Sequence, residues 1–310
     1  MKIIFFGTGE FSTTILKGLV DAGREVVAVV TQPDKVNARN NKVVFSSIKQ
    51  YCIENNIAIH QFAKLNLEGE EILKNYNPDI FVTASYGQII KQHILDIPKY
   101  GTVNVHGSIL PKYRGPAPIQ WAIMKGEEKT GITIMKTDIG CDTGDIYFSR
   151  ELTIEPEDTS TSVFGKMATL GIECINEFFD NFEKYKDSHI PQNADEATYF
   201  PMIKKEDYLL NFNMRAKDLC NKIRALENCY FMHNNMRYKV LFAVPYLKQG
   251  KPGEVLIANA KNGFVVACGD TAIEIITLQP EGKQKMYAVQ YMNANKFKVG
   301  EIISNDIVMH

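Results

Sequence analysis

Apolar residues recur along the first two-thirds of the chain in two alternating rhythms. Short β-rich runs at 2–6, 25–31 (EVVAVVT), 57–62 (IAIHQF), 79–84 (DIFVTA), 101–106 (GTVNVH) and 131–137 (GITIMKT) read as strands. Helical patterns separate them near 44–55, 68–76, 88–95 and 117–125, and a longer one runs over 160–184. The first helix places Phe11, Ile15 and Leu19 at i, i+4 and i+8, one stripe of a 3.6-residue repeat. Nearly continuous apolar strands alternating with helices predict an α/β unit, a Rossmann-like, mostly parallel sheet with helices on both faces.

The rhythm then changes. Residues 186–206 (KDSHIPQNADEATYFPMIKKE) are polar and turn-rich and read as a linker. A helix follows with Leu219, Ile223 and Leu226 on one stripe, and after it the period falls to two in RYKVLFAVPY, GEVLIAN, GFVVACGD and TAIEIITLQ. Closely spaced strands joined by Gly, Asn and Asp turns predict a smaller OB-like β-barrel domain. The expected organisation is a catalytic domain over 1–186, a linker over 187–205 and a second domain over 206–310.

Composition alters this picture in one respect. With 45% hydrophobic and 23% charged residues the 310-residue chain reads as globular and soluble. No apolar run approaches the ~20 residues of a membrane helix. The opening residues MKIIFFG lack signal-peptide architecture, so a cytoplasmic protein is expected. The six cysteines form no CxxC pair and the six histidines no metal-ligand spacing, which predicts reduced thiols and no metal site. The net charge of −1 hides an asymmetry. Residues 1–203 carry 20 basic against 26 acidic side chains, a balance of −6, whereas residues 204–310 carry 15 against 10, a balance of +5. A basic second half suggests contact with a polyanion, although solvated basic faces are common.

Three stretches carry candidate chemistry. Gly7-x-Gly9 after the first strand invites a dinucleotide reading, but position 12 is Ser and no acidic residue sits at the tip of strand two. A tight strand-to-helix turn without a nucleotide is the better account. Asn104 and His106 stand two apart near a strand end, so their side chains leave the same face, as a catalytic pair or as buried structural groups. The stretch from Thr137 to Asp145 (TDIGCDTGD) puts three carboxylates directly after a strand. It is either a solvated acidic loop or, if it gathers with Asn104 and His106 at the carboxyl rim, part of a site for acyl transfer to an amine.

NVHGSILPKYRGPAPIQWAI together with GITIMKTDIGCDTGDI resembles the folate-dependent formyltransferases. TQPDK after strand two, TYFPMIKKED in the linker and LQPEGKQKM near the end narrow the resemblance, which covers essentially the whole chain, to the branch acting on methionyl-tRNA. The resemblance implies a catalytic Asn104, His106 and Asp142, and a tetrahydrofolate-binding segment Ser108, Ile109, Leu110 and Pro111. Asp138 and Asp145 are expected to shape the loop. It also implies a basic loop meeting the acceptor end of tRNA, with Arg39 matching the family's key arginine and Lys42 beside it. Ala38 and Asn40 stand where glycines are common in that loop, and Asn41 where a lysine is. The expected activity is formyl transfer from 10-formyltetrahydrofolate to initiator methionyl-tRNA for translation initiation, by a monomer without metal or membrane. Rival readings are an amino sugar or glycinamide ribotide as acceptor, hydrolysis of the formyl donor, and a nicotinamide-dependent oxidoreductase resting on Gly7-x-Gly9.

Overall fold

The computed structural model describes residues 1–36, 43–293 and 297–303. It has two compact units: Met1–Pro118, Lys129–Thr153 and Val163–Pro201 form one, and Ile119–Glu128, Ile154–Ser162 and Met202–His310 the other. Among the described residues no helix is long and apolar enough to cross a membrane.

The chain begins with β1 (Ile3–Gly7), α1 (Glu10–Asp21), β2 (Val26–Thr31), the short hairpin β3 (Lys35–Val36) and β4 (Val43–Val44), and α2 (Ser47–Glu54). It continues through β5 (Ile59–Gln61), α3 (Leu65–Glu68), α4 (Glu70–Lys74), β6 (Ile80–Ala84), α5 (Gln92–Leu95) and β7 (Thr102–His106). Then come α6 (Pro118–Lys125), β8 (Lys129–Lys136), β9 (Ile146–Thr153), α7 (Ser160–Asp180) and α8 (Phe182–Tyr185).

The main sheet has the order β5-β2-β1-β6-β7-β8-β9. From β5 to β7 every pair is parallel, while β8 runs antiparallel to both neighbours. Residues of β1 and β6 are buried throughout, as a strand covered on both faces requires. Ile4, Phe6, Val30 and Phe81 build a core with Leu73, Ile94 and Leu95 from the flanking helices. The edge strand β9 was not anticipated. Its sequence IYFSRELT buries only Tyr147 and puts Arg150, Glu151 and Thr153 in solvent, so its apolar stretch ends after three residues.

In the second unit α9 (Ala216–Leu226) precedes β10 (Tyr230–His233), β11 (Met236–Tyr246), β12 (Val255–Asn259), β13 (Gly263–Ala267), β14 (Ala272–Pro280), β15 (Met286–Tyr287) and α10 (Ala288–Met292). The strands form an antiparallel half-barrel in the order β10-β11-β14-β13-β12, with β15 on β14. Leu219, Ile223 and Leu226 are buried, as their spacing predicts. An aromatic cluster fills the interior: Phe231 stacks on Tyr238 at 5.2 Å, and Phe264 meets Phe297 at 4.5 Å.

Candidate active site

β7 ends on a polar face. Thr83 on β6 lies in register with Asn104 on β7, and its Oγ1 donates to Asn104 Oδ1 at 2.9 Å. An amide whose oxygen is engaged has its orientation fixed. Asn104 Nδ2 finds no partner among the described residues, so it is left as a donor on the half-buried side chain. Two residues on, His106 is buried, with Nε2 3.2 Å from the Tyr113 carbonyl oxygen. Its Nδ1 lies 3.4 Å from Asp142 Oδ1. Both neighbours only accept, so a neutral ring satisfies one of them and an imidazolium both.

Asp142 reaches His106 by a different route from the one the sequence suggests. Because β8 is antiparallel to β7, its last residue, Lys136, pairs with Val103 near the start of β7. The loop after β8 therefore leaves far from the carboxyl rim of the parallel strands. It must double back for Asp142 to meet His106 at the end of β7, and it returns to pair Asp145 with Lys136. Asp142 adopts a left-handed backbone, φ 55, which Asp tolerates better than most side chains. Its second oxygen accepts from the Gly115 amide at 2.8 Å. Gly115 itself has φ 111, and a Cβ there would lie 2.2 Å from the Phe200 carbonyl oxygen, so only glycine allows this close approach.

The other carboxylates of the loop face elsewhere. Asp138 accepts from the Gly140 amide at 3.0 Å and from Thr143 Oγ1 at 2.7 Å, closing the turn on itself. Asp145 pairs with His189 Nδ1 at 2.7 Å. Cys141 is exposed, with Sγ 3.6 Å from Asp142 Oδ2; partial desolvation of the sulfur, reinforced by the negative carboxylate, pushes its thiol up to about 11.

Residues 108–111 follow directly on β7. Ser108 is fully buried, and its hydroxyl donates to the Lys112 carbonyl at 2.7 Å. The Ser108 carbonyl accepts from Thr133 Oγ1, and the Leu110 amide donates to the same Thr133 oxygen. Ser108 and Leu110 thus anchor the segment inward, while Ile109 and Pro111 stay half-exposed. Arg39 and Lys42 lie outside the described residues. Among the described residues no group of three or more His, Cys, Asp or Glu is placed to hold a metal ion.

The Gly7-x-Gly9 turn is filled from within. Ser12 Oγ accepts from the Thr8 amide at 2.9 Å and donates to the Ala84 carbonyl at 2.5 Å. A Cβ on Gly7 would lie 2.5 Å from that of Ser12. Asp34 is taken by Lys49 and Gln61, whose hydrogen bonds hold its carboxyl below the ordinary value.

Sequence reasoning missed Thr83, the Tyr113 carbonyl and Gln192. Gln192 Nε2 donates to the carbonyls of Asp142 and Gly144 at 2.9 and 2.7 Å. The pairing of Thr83 with Asn104 depends on register between strands, and Gln192 sits in a segment whose composition signals only a linker.

Comparison with known proteins places the chain. Residues 1–178 match the formyl transferase family model and residues 202–296 the model of the formyl transferase C-terminal domain. A methionyl-tRNA formyltransferase from Caldanaerobacter subterraneus subsp. tengcongensis is 39% identical over 310 residues, covering 98% of this chain and 100% of the relative. The chain belongs to the methionyl-tRNA formyltransferase family. Among solved structures, a methionyl-tRNA formyltransferase from Clostridium thermocellum aligns at TM-score 0.53 and 21% identity, covering 79% of this chain and 94% of that one. An N-formyltransferase from Helicobacter canadensis, solved with folinic acid and dTDP-3-aminofucose, aligns at TM-score 0.65 and 20% identity over 92% of this chain and all of that one. At these identities the two structures establish a shared fold.

Proposed function

We propose that the chain transfers the formyl group of 10-formyltetrahydrofolate to the α-amino group of initiator methionyl-tRNA, in the cytoplasm and as a monomer. The observation that carries the site assignment is the 3.4 Å approach of Asp142 to His106, beside an asparagine whose amide is turned to donate. Bound folate supplies an activated formyl carbon, and addition of the amine places negative charge on the formyl oxygen. Asn104 Nδ2 donates to that oxygen, and loss of one such donor costs about 3–4 kcal/mol of transition-state stabilisation. His106 moves the amine proton toward the leaving nitrogen. Asp142 holds the imidazole in place.

The folate segment contributes shape. Ser108 and Leu110 fix the backbone from inside, which leaves Ile109 and Pro111 to face the ligand. β6 ends beside β7 in the parallel sheet, and the segment after it exposes Ile89 to 78%, an apolar surface suited to the same ligand. Arg39 and Lys42 are the proposed contacts to the tRNA acceptor end, and the +5 balance of residues 204–310 supports further phosphate contacts. A small acceptor such as a sugar nucleotide needs no such basic half.

Incubating the protein with 10-formyltetrahydrofolate and charged initiator tRNA, a dTDP-amino sugar, or no acceptor tests this reading. Formylated methionyl-tRNA as the main product is expected. A formylated sugar, or free formate at the same rate without acceptor, would refute it. For three or four phosphate contacts, KM for tRNA should rise about 50-fold between 50 and 200 mM salt.

A further inference from the structure

The segment that reads as a linker is bonded to both loops of the candidate site. Ile190 exchanges two backbone hydrogen bonds with Ile146, each 2.8 Å. Further on, the Arg114 amide donates to the Thr198 carbonyl at 2.9 Å, the Tyr113 amide to Thr198 Oγ1 at 2.9 Å, and the Phe200 amide to the Arg114 carbonyl at 2.9 Å. Between these two attachments stands Gln192. Besides donating to the carbonyls of Asp142 and Gly144, it accepts at Oε1 from Arg114 Nε at 3.0 Å and Nη2 at 2.7 Å.

We propose that Gln192 is a positioning residue for formyl transfer: its amide clamps the loop carrying Asp142 to the loop following His106 and so sets the distance between the two side chains. The proposal rests on the catalytic reading of Asp142 and His106 given above. Both N–H bonds and both acceptor positions of the amide are used, two on backbone carbonyls and two on a guanidinium. Glutamate offers no donor to the carbonyls, lysine no acceptor to Arg114, and asparagine is one carbon shorter. Arg114 directly precedes Gly115, whose amide holds Asp142 Oδ2, so the clamp and the carboxylate contact belong to one unit. Gln192 touches no reacting atom and acts through Asp142. Small displacements of a catalytic group, of about 1 Å, are known to cost about 100-fold in rate.

The test compares kcat and KM of the full chain, wild type and Gln192→Glu, each with and without Asp142→Asn. Gln192→Glu retains the partner of Arg114 but turns a carboxylate toward two carbonyls. It should lower kcat about 10- to 100-fold, change KM for either substrate less than about threefold, and leave the thermal midpoint within a few degrees. In the Asp142→Asn background the same change should cost less than about threefold, because the group it positions is gone. Normal kcat for Gln192→Glu, or an equal factor lost in both backgrounds, would overturn the proposal and leave Gln192 a merely structural residue. Near-normal turnover of Asp142→Asn alone would overturn the reading on which it rests. Should the Glu variant fail to fold, Gln192→Met, similar in size and without either function, carries the same comparison.

Discussion

Two loops of the first unit follow directly on strands and meet different ends. The Gly7-x-Gly9 turn after β1 carries a motif associated with ligand binding, yet Ser12 fills it, satisfying the Thr8 amide and the Ala84 carbonyl from inside. The loop from Thr137 to Asp145 looks like a solvated acidic face, yet it folds back along the sheet to set Asp142 against His106. What separates the first turn from the site at the end of β7 is whether polar groups are already satisfied within the fold. A turn whose donors and acceptors are paired internally has little to offer a ligand, whereas Asn104 Nδ2 has no partner among the described residues and lies beside a histidine flanked by two acceptors.

The contrast within the acidic loop gives the largest effect. Asp142→Asn should lower kcat by about 100-fold or more with an unchanged unfolding midpoint. Asp138→Asn, which disturbs only the closure of the turn, should stay within about fivefold. Equal losses in steady-state assays would erase the distinction between the two carboxylates.

Next comes the orientation of Asn104. Thr83→Val removes the hydroxyl that engages the amide oxygen and should cost about tenfold in kcat, while Thr83→Ser restores most of it. If the two variants behave alike, the amide is oriented by something other than Thr83.

The first turn should respond in stability alone. Ser12→Ala leaves the Thr8 amide and the Ala84 carbonyl without their hydroxyl partner and should destabilise by about 1–3 kcal/mol in urea titrations, with turnover within about twofold of normal. A large loss of activity in a normally stable variant would make this turn part of the site.

The smallest effect is a labelling rate. With the Cys141 thiol pushed up to about 11, the thiolate is a minor species at neutral pH, so alkylation by iodoacetamide should rise about tenfold per pH unit between 7 and 9 without levelling. Partial desolvation is the larger cause and Asp142 the second. Asp142→Asn should therefore lower the thiol's pKa in part and speed labelling at fixed pH. No change on that substitution would separate the sulfur from the carboxylate.

The alternation of strands and helices was readable from the residues because buried parallel strands such as those around Phe5 and Val82 are nearly continuous apolar runs. The stripe of Leu219, Ile223 and Leu226 was readable for a similar reason. β9 was not, since a strand with one exposed edge carries Arg150 and Glu151. Asn104 and His106 were legible as a pair through the two-residue period of a strand. The path of Asp142 was not, because the direction of β8 is decided by pairing between strands and not by its own sequence. Gln192 was hidden most deeply. Its partners are two carbonyls about fifty positions earlier and a guanidinium about eighty positions earlier, and no local pattern encodes them.

The central claim is that the formyl group is treated where β7 ends, between Asn104, His106 and Asp142. A crystal structure with a non-reactive 10-formyltetrahydrofolate analogue measures this directly. The account predicts a formyl oxygen within about 3.2 Å of Asn104 Nδ2 and within hydrogen-bond reach of His106. A formyl group bound instead over the Gly7-x-Gly9 turn, or more than about 6 Å from both side chains, would contradict it.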